Sequence, residues 1–163
     1  MAVFLSTHVN KVDRKGRVSI PAQFRQSLAK TSAPNALYVW PSLNHPALEG
    51  ADQDYIDILS DSLESPDLDA EEREMIETFI FGKMVPLTID NEGRVGLPKD
   101  LAEIAGVGDE AAFIGRRKTF QIWEPSALKA HEDALREQVV KKDISLSQIV
   151  AKAQRGARAG EGA

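Results

Sequence analysis

The feature that most constrains this chain is a nine-residue pattern that occurs twice along the sequence. The first copy reads DRKGRVSIP and begins at Asp13, and the second reads DNEGRVGLP and begins at Asp90. The offset between the two copies is a constant 77 residues. An internal repeat of this kind indicates that one structural unit is duplicated within the chain.

Each copy predicts a tight turn between two strands, followed by a short helix. Gly16 and Gly93 occupy the fourth position of the pattern, where glycine allows the positive φ angle that a tight turn needs. The residues after each glycine alternate between apolar and polar, which is typical of a half-buried strand. Pro21 and Pro98 fit the first position of a helix, where a missing N–H costs nothing. The predicted unit is therefore a β-hairpin followed by a helix.

The rest of the chain completes each copy as a half with the order β-β-α-β-β followed by a helix. A single half would leave open strand edges, so we expect the two halves to pair their edges with each other, which predicts an α+β fold. After Gln154 the chain is mostly Gly, Ala and Arg, with nothing large to bury, and we expect it to be disordered. The predicted regions are a first repeat over 5–52, a connecting helical pair over 53–82, a second repeat over 83–126, C-terminal helices over 127–153 and the disordered tail over 154–163.

The composition is that of an ordinary soluble globular protein, with 42% hydrophobic and 28% charged residues. No apolar run reaches membrane-spanning length, and residues 1–6 lack the leading charge of a signal peptide. The chain has no cysteine, which excludes disulfides and thiolate metal sites. We therefore expect a cytoplasmic protein without a membrane partner.

The distribution of charge says more than the net charge of −5. Residues 8–30 carry six basic side chains against one acid, a net charge of +5. Residues 49–77 carry twelve acids against one arginine, a net charge of −11. This asymmetry predicts one basic working face and one acidic solvated face.

Arg17 and Arg94 occupy the same position in the two copies, and two interpretations of them are open. Each arginine can close a surface ion pair with the aspartate of its turn, worth about 0–1 kcal/mol. Alternatively, the repeat presents arginine for DNA, because the guanidinium donates two parallel hydrogen bonds to guanine edges and phosphates. Arg17 is the stronger candidate, because residues 91–92 beside Arg94 are not basic. Asp13 and Asp90 are expected to hold the turns.

A second basic stretch lies at the predicted tip of a later hairpin. It consists of Arg116, Arg117 and Lys118, with no acid beside it. Such a tip can either serve solubility or contact DNA phosphates, and the sequence leaves both open.

No catalytic or metal site can be assembled from the sequence. His8, His45 and His131 are scattered, without the spacing of metal ligands. No nucleophile, base and orienting group occur together, so we predict a protein that is not an enzyme, has no cofactor and takes no small-molecule substrate. Met75 and Phe79 recur at helical spacing, and we interpret them as core packing.

The repeated pattern, twice in a chain of this length, resembles the MraZ family of bacterial regulators of the division and cell-wall gene cluster. The resemblance covers residues 7 to about 125. It implies two tandem AbrB-like swapped-hairpin units that interleave into one intrachain pseudo-dimer barrel with flanking helices. It also implies that chains assemble into rings that bind repeated promoter boxes upstream of their own operon.

By matching position, the resemblance carries a DNA-contacting role to Arg17, with Arg14 and Lys15 beside it. Arg94 matches the same position in the second copy. The sequence departs from the family pattern at residues 91–92, where Asn and Glu replace basic residues. Several subunits on adjacent boxes would raise the avidity of one weak hairpin by about 10²–10⁴.

The sequence thus predicts a DNA-binding transcriptional repressor of its own operon. It would bind direct repeats of double-stranded DNA as a homo-oligomer, in the cytoplasm and associated with the nucleoid. One alternative is an antitoxin-type DNA-binding module, although such proteins usually carry one copy of the motif. Another is an enzymatic or ligand-binding barrel, which would need a polar cluster in a pocket.

Overall fold

The computed structural model describes residues 1–162 and has an α+β fold, as the sequence predicts. It forms two compact units, Met1–Pro125 and the residues from Ser126 onward. The strands are β1 (Thr7–Lys11), β2 (Arg17–Ser19), β3 (Ala36–Pro41), β4 (Leu48–Ala51), β5 (Val85–Thr88), β6 (Arg94–Gly96), β7 (Glu110–Gly115) and β8 (Phe120–Trp123). The helices are α1 (Ala22–Leu28), α2 (Gln53–Ser62), α3 (Ala70–Phe79), α4 (Lys99–Ile104), α5 (Pro125–Lys142) and α6 (Leu146–Glu161), with a 3-10 turn at Phe81–Lys83.

The strands of the two halves pair with each other, as the open edges predict. A six-stranded antiparallel sheet has the order β1-β7-β8-β4-β3-β5, and β2 pairs with β6 in a separate two-stranded ribbon. Val18 lies opposite Val95, which is its own equivalent at the 77-residue offset. The ribbon therefore has an approximate two-fold axis between these two valines. Within the described residues the six-stranded order ends at β1 and at β5, and no closed barrel is found.

The turn predicted between β1 and β2 is present, but β1 and β2 do not pair with each other as a hairpin. Only one isolated bridge, between Val12 and Val18, joins the two arms of the first turn. β1 instead pairs with β7, and β2 pairs with β6. An alternating pattern identifies which face of a strand is buried, but it does not identify the strand that lies beside it.

Aromatic side chains fill the core of the first unit. Phe4 lies with its ring centroid 5.2 Å from Phe24 and 5.0 Å from Phe120, in edge-to-face contacts. Phe24 also contacts Phe113. All four phenylalanines are completely buried. They hold α1 against the sheet and so set the position of the turn that precedes α1.

Helices α2 and α3 pack over a smaller cluster, which contains the buried residues Trp40, Ile56 and Ile80. Met75 and Phe79 do not belong to it and are 46% and 52% exposed. Their interpretation as core packing is therefore wrong. Spacing identified a helical face, but α3 turns its other apolar residues toward the cluster and leaves this pair uncovered.

The second unit consists of α5 and α6. Helix α6 runs to Glu161, so the prediction of a disordered tail from residue 154 is wrong for residues 154–161. The Ser145 side chain caps the helix by accepting a hydrogen bond from the Gln148 N–H. Alanine and arginine are strong helix formers even where nothing is buried, which composition alone did not reveal. Residue 163 of the predicted tail lies outside the described residues. No helix within residues 1–162 combines the length and apolar character of a membrane span.

Candidate nucleic-acid interface

The first repeat turn is built around the Asp13 carboxylate. Gly16 has a φ angle of +78°, and its N–H donates to the Asp13 carbonyl at 3.0 Å. Asp13 Oδ1 accepts hydrogen bonds from the N–H groups of Lys15 and Arg17 at 2.9 and 2.8 Å. Asp13 Oδ2 accepts from Arg17 Nε at 2.8 Å. The carboxylate therefore holds the turn closed and fixes the direction of the Arg17 guanidinium.

The second turn repeats this geometry around Asp90. Gly93 also has a φ angle of +78°, and Asp90 Oδ1 accepts from the N–H groups of Glu92 and Arg94, both at 2.9 Å. Asp90 Oδ2 accepts from Arg94 Nε at 3.2 Å. The backbone N–H of the arginine, the main cause, lowers the pKa of each turn aspartate. Both carboxylates are thus stabilised in the ionised form that the turn needs.

The two arginines lie on the same outer face of the β2–β6 ribbon. Arg17 is opposite Gly96, and Arg94 is opposite Ser19. The valines between them, Val18 and Val95, are buried. Because successive side chains of a strand point to opposite faces, both arginines face outward. Gly96 carries no side chain, so the surface opposite Arg17 is open.

Hydrogen bonds between the halves fix the turns to each other. The Leu97 N–H donates to the Gly16 carbonyl at 2.8 Å, and the Ile20 N–H donates to the Gly93 carbonyl at 2.9 Å. Each turn is therefore anchored on the strand that follows the other turn. A rigid support of this kind is what a side chain needs in order to read a fixed position on a partner.

The two turns differ sharply in charge. The first carries Arg14, Lys15 and Arg17 against Asp13, a net charge of +2. The second carries Arg94 against two acids, a net charge of −1. Glu92 Oε2 also lies 3.1 Å from Arg94 Nη2, so Arg94 is held by two carboxylates and is 27% exposed. Arg17 is held by one carboxylate and is 38% exposed. The structure thus leaves the first arginine more available to a ligand.

Arg25 is a cation of this region that sequence reasoning did not single out as a site residue. It belongs to α1, but its side chain covers the second turn, where a methyl group added to Gly93 would lie 2.9 Å from Arg25 Cζ. Its Nε donates to the Ile20 carbonyl at 3.1 Å. No local signal places it there, because the contact depends on the pairing between the two halves.

The second basic stretch does not join this group. Arg116, Arg117 and Lys118 lie in the turn between β7 and β8. In the β1–β7 pair, Lys11 lies opposite Glu110 and Thr7 lies opposite Ile114, so this turn is at the other end of β7 from the Asp13 turn. The Arg117 backbone bonds to Phe4, and Arg116 Nη1 donates to Gln121 Oε1 at 3.1 Å. The predicted site residues therefore form two separate groups.

No group of three His, Asp or Glu side chains that could hold a metal ion is found among residues 1–162. The buried Asp52 has a structural role, because it caps α2 through the Tyr55 N–H and accepts from the Ala2 N–H at 2.7 Å.

Comparison with known proteins gives several similar relatives, while no family model matches the chain. A transcriptional regulator MraZ from Rickettsia akari is 40% identical over 131 residues, which are 80% of this chain and 87% of the relative. The protein of the same name from Rickettsia africae is 38% identical over 146 residues, 90% of this chain and 97% of the relative. That of Rickettsia bellii is 42% identical over 130 residues, 79% and 86% of the two chains.

Proposed function

We propose that this chain, which belongs to the MraZ family of transcriptional regulators, binds double-stranded DNA through the first turn of the β2–β6 ribbon. The target is a set of direct repeats in the promoter of its own cell-division and cell-wall operon, which it represses. It acts in the cytoplasm, associated with the nucleoid, and is not an enzyme.

The Arg17 guanidinium carries this proposal. Asp13 holds its Nε at 2.8 Å and leaves the two terminal nitrogens of the guanidinium for a ligand. Those two nitrogens can donate a parallel pair of hydrogen bonds to the O6 and N7 atoms of guanine. Arg14 and Lys15 are exposed beside it and supply charge to phosphates. The second turn, with its net negative charge, has Arg94 as a weaker contact.

The fold proposed for the first unit is a tandem pair of AbrB-like swapped-hairpin repeats. The pairing of β1 with β7, of β3 with β5 and of β2 with β6 supports this assignment, because each pair joins one half to the other. The intrachain pseudo-dimer arrangement of the two halves belongs to the same proposal.

Self-association completes the proposal, because one hairpin of net charge +2 is a weak DNA binder. A ring of subunits would present this hairpin to several promoter boxes at once and raise the avidity by about 10²–10⁴. Arg116, Arg117 and Lys118 are proposed as phosphate contacts in such an assembly, since their turn lies away from the Arg17 turn of the same chain.

The direct test compares Arg17→Ala with the matched variant Arg94→Ala on the DNA upstream of the gene and on a shuffled sequence. Arg17→Ala is expected to cost about 1–3 kcal/mol per box on the promoter and much less on shuffled DNA. Arg94→Ala is expected to cost less, because two carboxylates already hold that side chain. Fluorescence anisotropy with single-box DNA at low salt measures each loss without multiplication across boxes.

Lys15→Ala separates base reading from attraction to phosphate. It should weaken promoter and shuffled DNA equally and lower the salt slope by about one unit for each phosphate that is no longer neutralised. Equal losses on both DNAs for Arg17→Ala would show that Arg17 only clamps phosphate. Unchanged binding of both DNAs would leave Arg17 as a surface partner of Asp13 and contradict the proposed site.

A further inference from the structure

We infer that helix α6 of a second copy of this chain docks into an apolar cleft on the first unit. The inference rests on the self-association proposed above and is independent of the proposed DNA contact. It assigns a partner to two surfaces of the chain that have no role in the β2–β6 ribbon.

The cleft has a volume of about 780 Å³ and lies between the β3–β4 turn, the end of α3 and α4. Its walls carry three large apolar side chains that are more than half exposed, Leu43, Phe79 and Ile104. A smaller cleft on α3 shares Phe79 and adds Met75, so the apolar surface continues along α3. Contiguous apolar surface of this kind on a soluble domain marks an interaction site.

Acidic side chains surround this surface. Glu71 and Glu74 line the α3 part of it, and Asp100 lines the main cleft, where Lys83 is the one basic residue. Helix α3 as a whole carries four glutamates against Arg73. The cleft therefore favours a partner that is apolar in the middle and basic at its edges.

Helix α6 has these properties, and its large apolar side chains are exposed. Leu146, Ile149 and Val150 lie on one face and are exposed, and Ala153 and Ala157 continue the same face at helical spacing. Lys152 and Arg158 flank this stripe on its two sides. No residue of the sixteen in α6 is buried, although a helix of this length is only marginally stable in water without packing. The stripe therefore needs a surface to cover it.

A second copy is the partner that fits best. The apolar face of α6 and the walls of the cleft both carry exposed apolar side chains, and the charges beside them are opposite. Every copy offers one helix and one cleft, so the contact is head-to-tail and generates a ring if the rotation closes.

The first test places a charge in the stripe. Ile149→Asp is expected to raise the dissociation constant of the assembly by about tenfold or more, because an unpaired carboxylate would be buried against apolar side chains. Gln148→Asp is the matched control, since it adds the same charge to the opposite face of α6. Sedimentation velocity at micromolar concentration should show the assembly for the control and dissociation toward single chains for Ile149→Asp. An unchanged mass for Ile149→Asp, or a native chain that is a single subunit throughout, would overturn the inference.

Charge reversal tests the choice of cleft. Lys152→Glu with Arg158→Glu should weaken the assembly, and so should Glu71→Lys with Glu74→Lys. The chain that carries all four changes should assemble again, which a merely structural effect would not produce. Continued weakness of the four-fold variant would move the docking site of α6 elsewhere.

Crosslinking distinguishes docking of α6 into the cleft of a second copy from docking into the cleft of its own chain. Because the native chain has no cysteine, only the introduced cysteines can form a disulfide. A tagged Phe79→Cys chain mixed with an untagged Val150→Cys chain should form a mixed covalent dimer under mild oxidation. A chain with both cysteines that forms only an internal disulfide at high dilution would show that α6 covers its own cleft.

All α6 variants should still bind one-box DNA like the native chain, and Arg17→Ala should assemble normally. A loss of one-box binding in Ile149→Asp with the assembly intact would make α6 a DNA-binding element and overturn the inference.

Discussion

Asp13 and Asp90 accept the same set of hydrogen bonds in the two turns, yet only the first turn keeps a net positive charge. The difference lies in the two residues between aspartate and glycine, which are Arg14 and Lys15 in the first copy and Asn91 and Glu92 in the second. The shared residues of the motif thus build the turn, and the variable residues set its charge.

This division of roles predicts different results for Asp13→Ala and Asp90→Ala. Both should lower the midpoint of thermal unfolding by similar amounts, because each removes an acceptor of three hydrogen bonds. Only Asp13→Ala should also reduce discrimination between promoter and shuffled DNA, since it releases Arg17 from its fixed direction. Calorimetry and anisotropy measure the two effects. Equal loss of discrimination in both variants would contradict the assignment of DNA reading to the first turn.

The lowered pKa of each turn aspartate also predicts how the stability of Asp13→Ala and Asp90→Ala depends on pH. Both carboxyls have a folded-state pKa below the ordinary value of 3.8, so their contribution to stability is complete above that value and is lost as the pH falls through the folded pKa. Each alanine variant should therefore lose less stability than the native chain when the pH is lowered through this range. Thermal unfolding followed at a series of acidic pH values measures the difference.

At the scale of single residues, the sequence alone predicted the geometry of the two turns, but it did not predict the position of the Arg25 side chain. The D-x-x-G-R pattern predicts the roles of aspartate and glycine in the turn because the hydrogen bonds that close the turn lie within five residues. Arg25 reaches the second turn only because the Ile20 N–H bonds to the Gly93 carbonyl of the other half. A contact of that kind follows from the tertiary arrangement and leaves no local pattern.

At the scale of elements, the close approach of the N-terminal segment to β7 depends on a glycine. A methyl group added to Gly115 would lie 2.4 Å from the backbone carbonyl carbon and oxygen of Phe4. The backbones touch here because Arg117 and Phe4 exchange two hydrogen bonds, at 2.7 and 3.0 Å. Phe4 is also at the centre of the aromatic core, so this segment cannot shift without disturbing the packing.

Gly115→Ala should therefore destabilise the chain by about 1–3 kcal/mol through overpacking. Gly96→Ala is the matched control in another strand, because a methyl group there meets nothing within 4 Å. Urea denaturation compares the two variants, and Gly96→Ala should be close to native. If both variants had native stability, the backbone of the N-terminal segment would be free to move away from β7.

Helix positions were easier to predict from the sequence than strand partners. Caps such as Asp69, whose carboxylate accepts from the Glu72 N–H at 2.7 Å, signal a helix start locally. The partner of β2 could not be predicted in this way, because a three-residue strand with one buried valine can pair with any of several strands. The exposure of Met75 and Phe79 was missed for a related reason, since helical spacing does not show which of two apolar faces is covered.

At the scale of the whole molecule, the chain consists of two compact units. The first holds the core, the ribbon and the apolar cleft, and the second supplies α6 with its uncovered stripe. Because no residue of α6 is buried, the proposed docking predicts that α6 contributes to stability only when it contacts another copy. Folding of the first unit and assembly of the chains are therefore separable by experiment.

Deletion of residues 146–163 makes this separation measurable. At low protein concentration the truncated and native chains should unfold at the same temperature, because α6 itself contains no buried residue. As the concentration rises, the unfolding temperature of the native chain should rise with it, since association stabilises only the folded state, while that of the truncated chain should stay constant.

The truncated chain should bind single-box DNA normally and lose the avidity for adjacent boxes. A fall of several degrees at low concentration would mean that α6 stabilises its own chain, and avidity retained without α6 would mean that another surface joins the subunits.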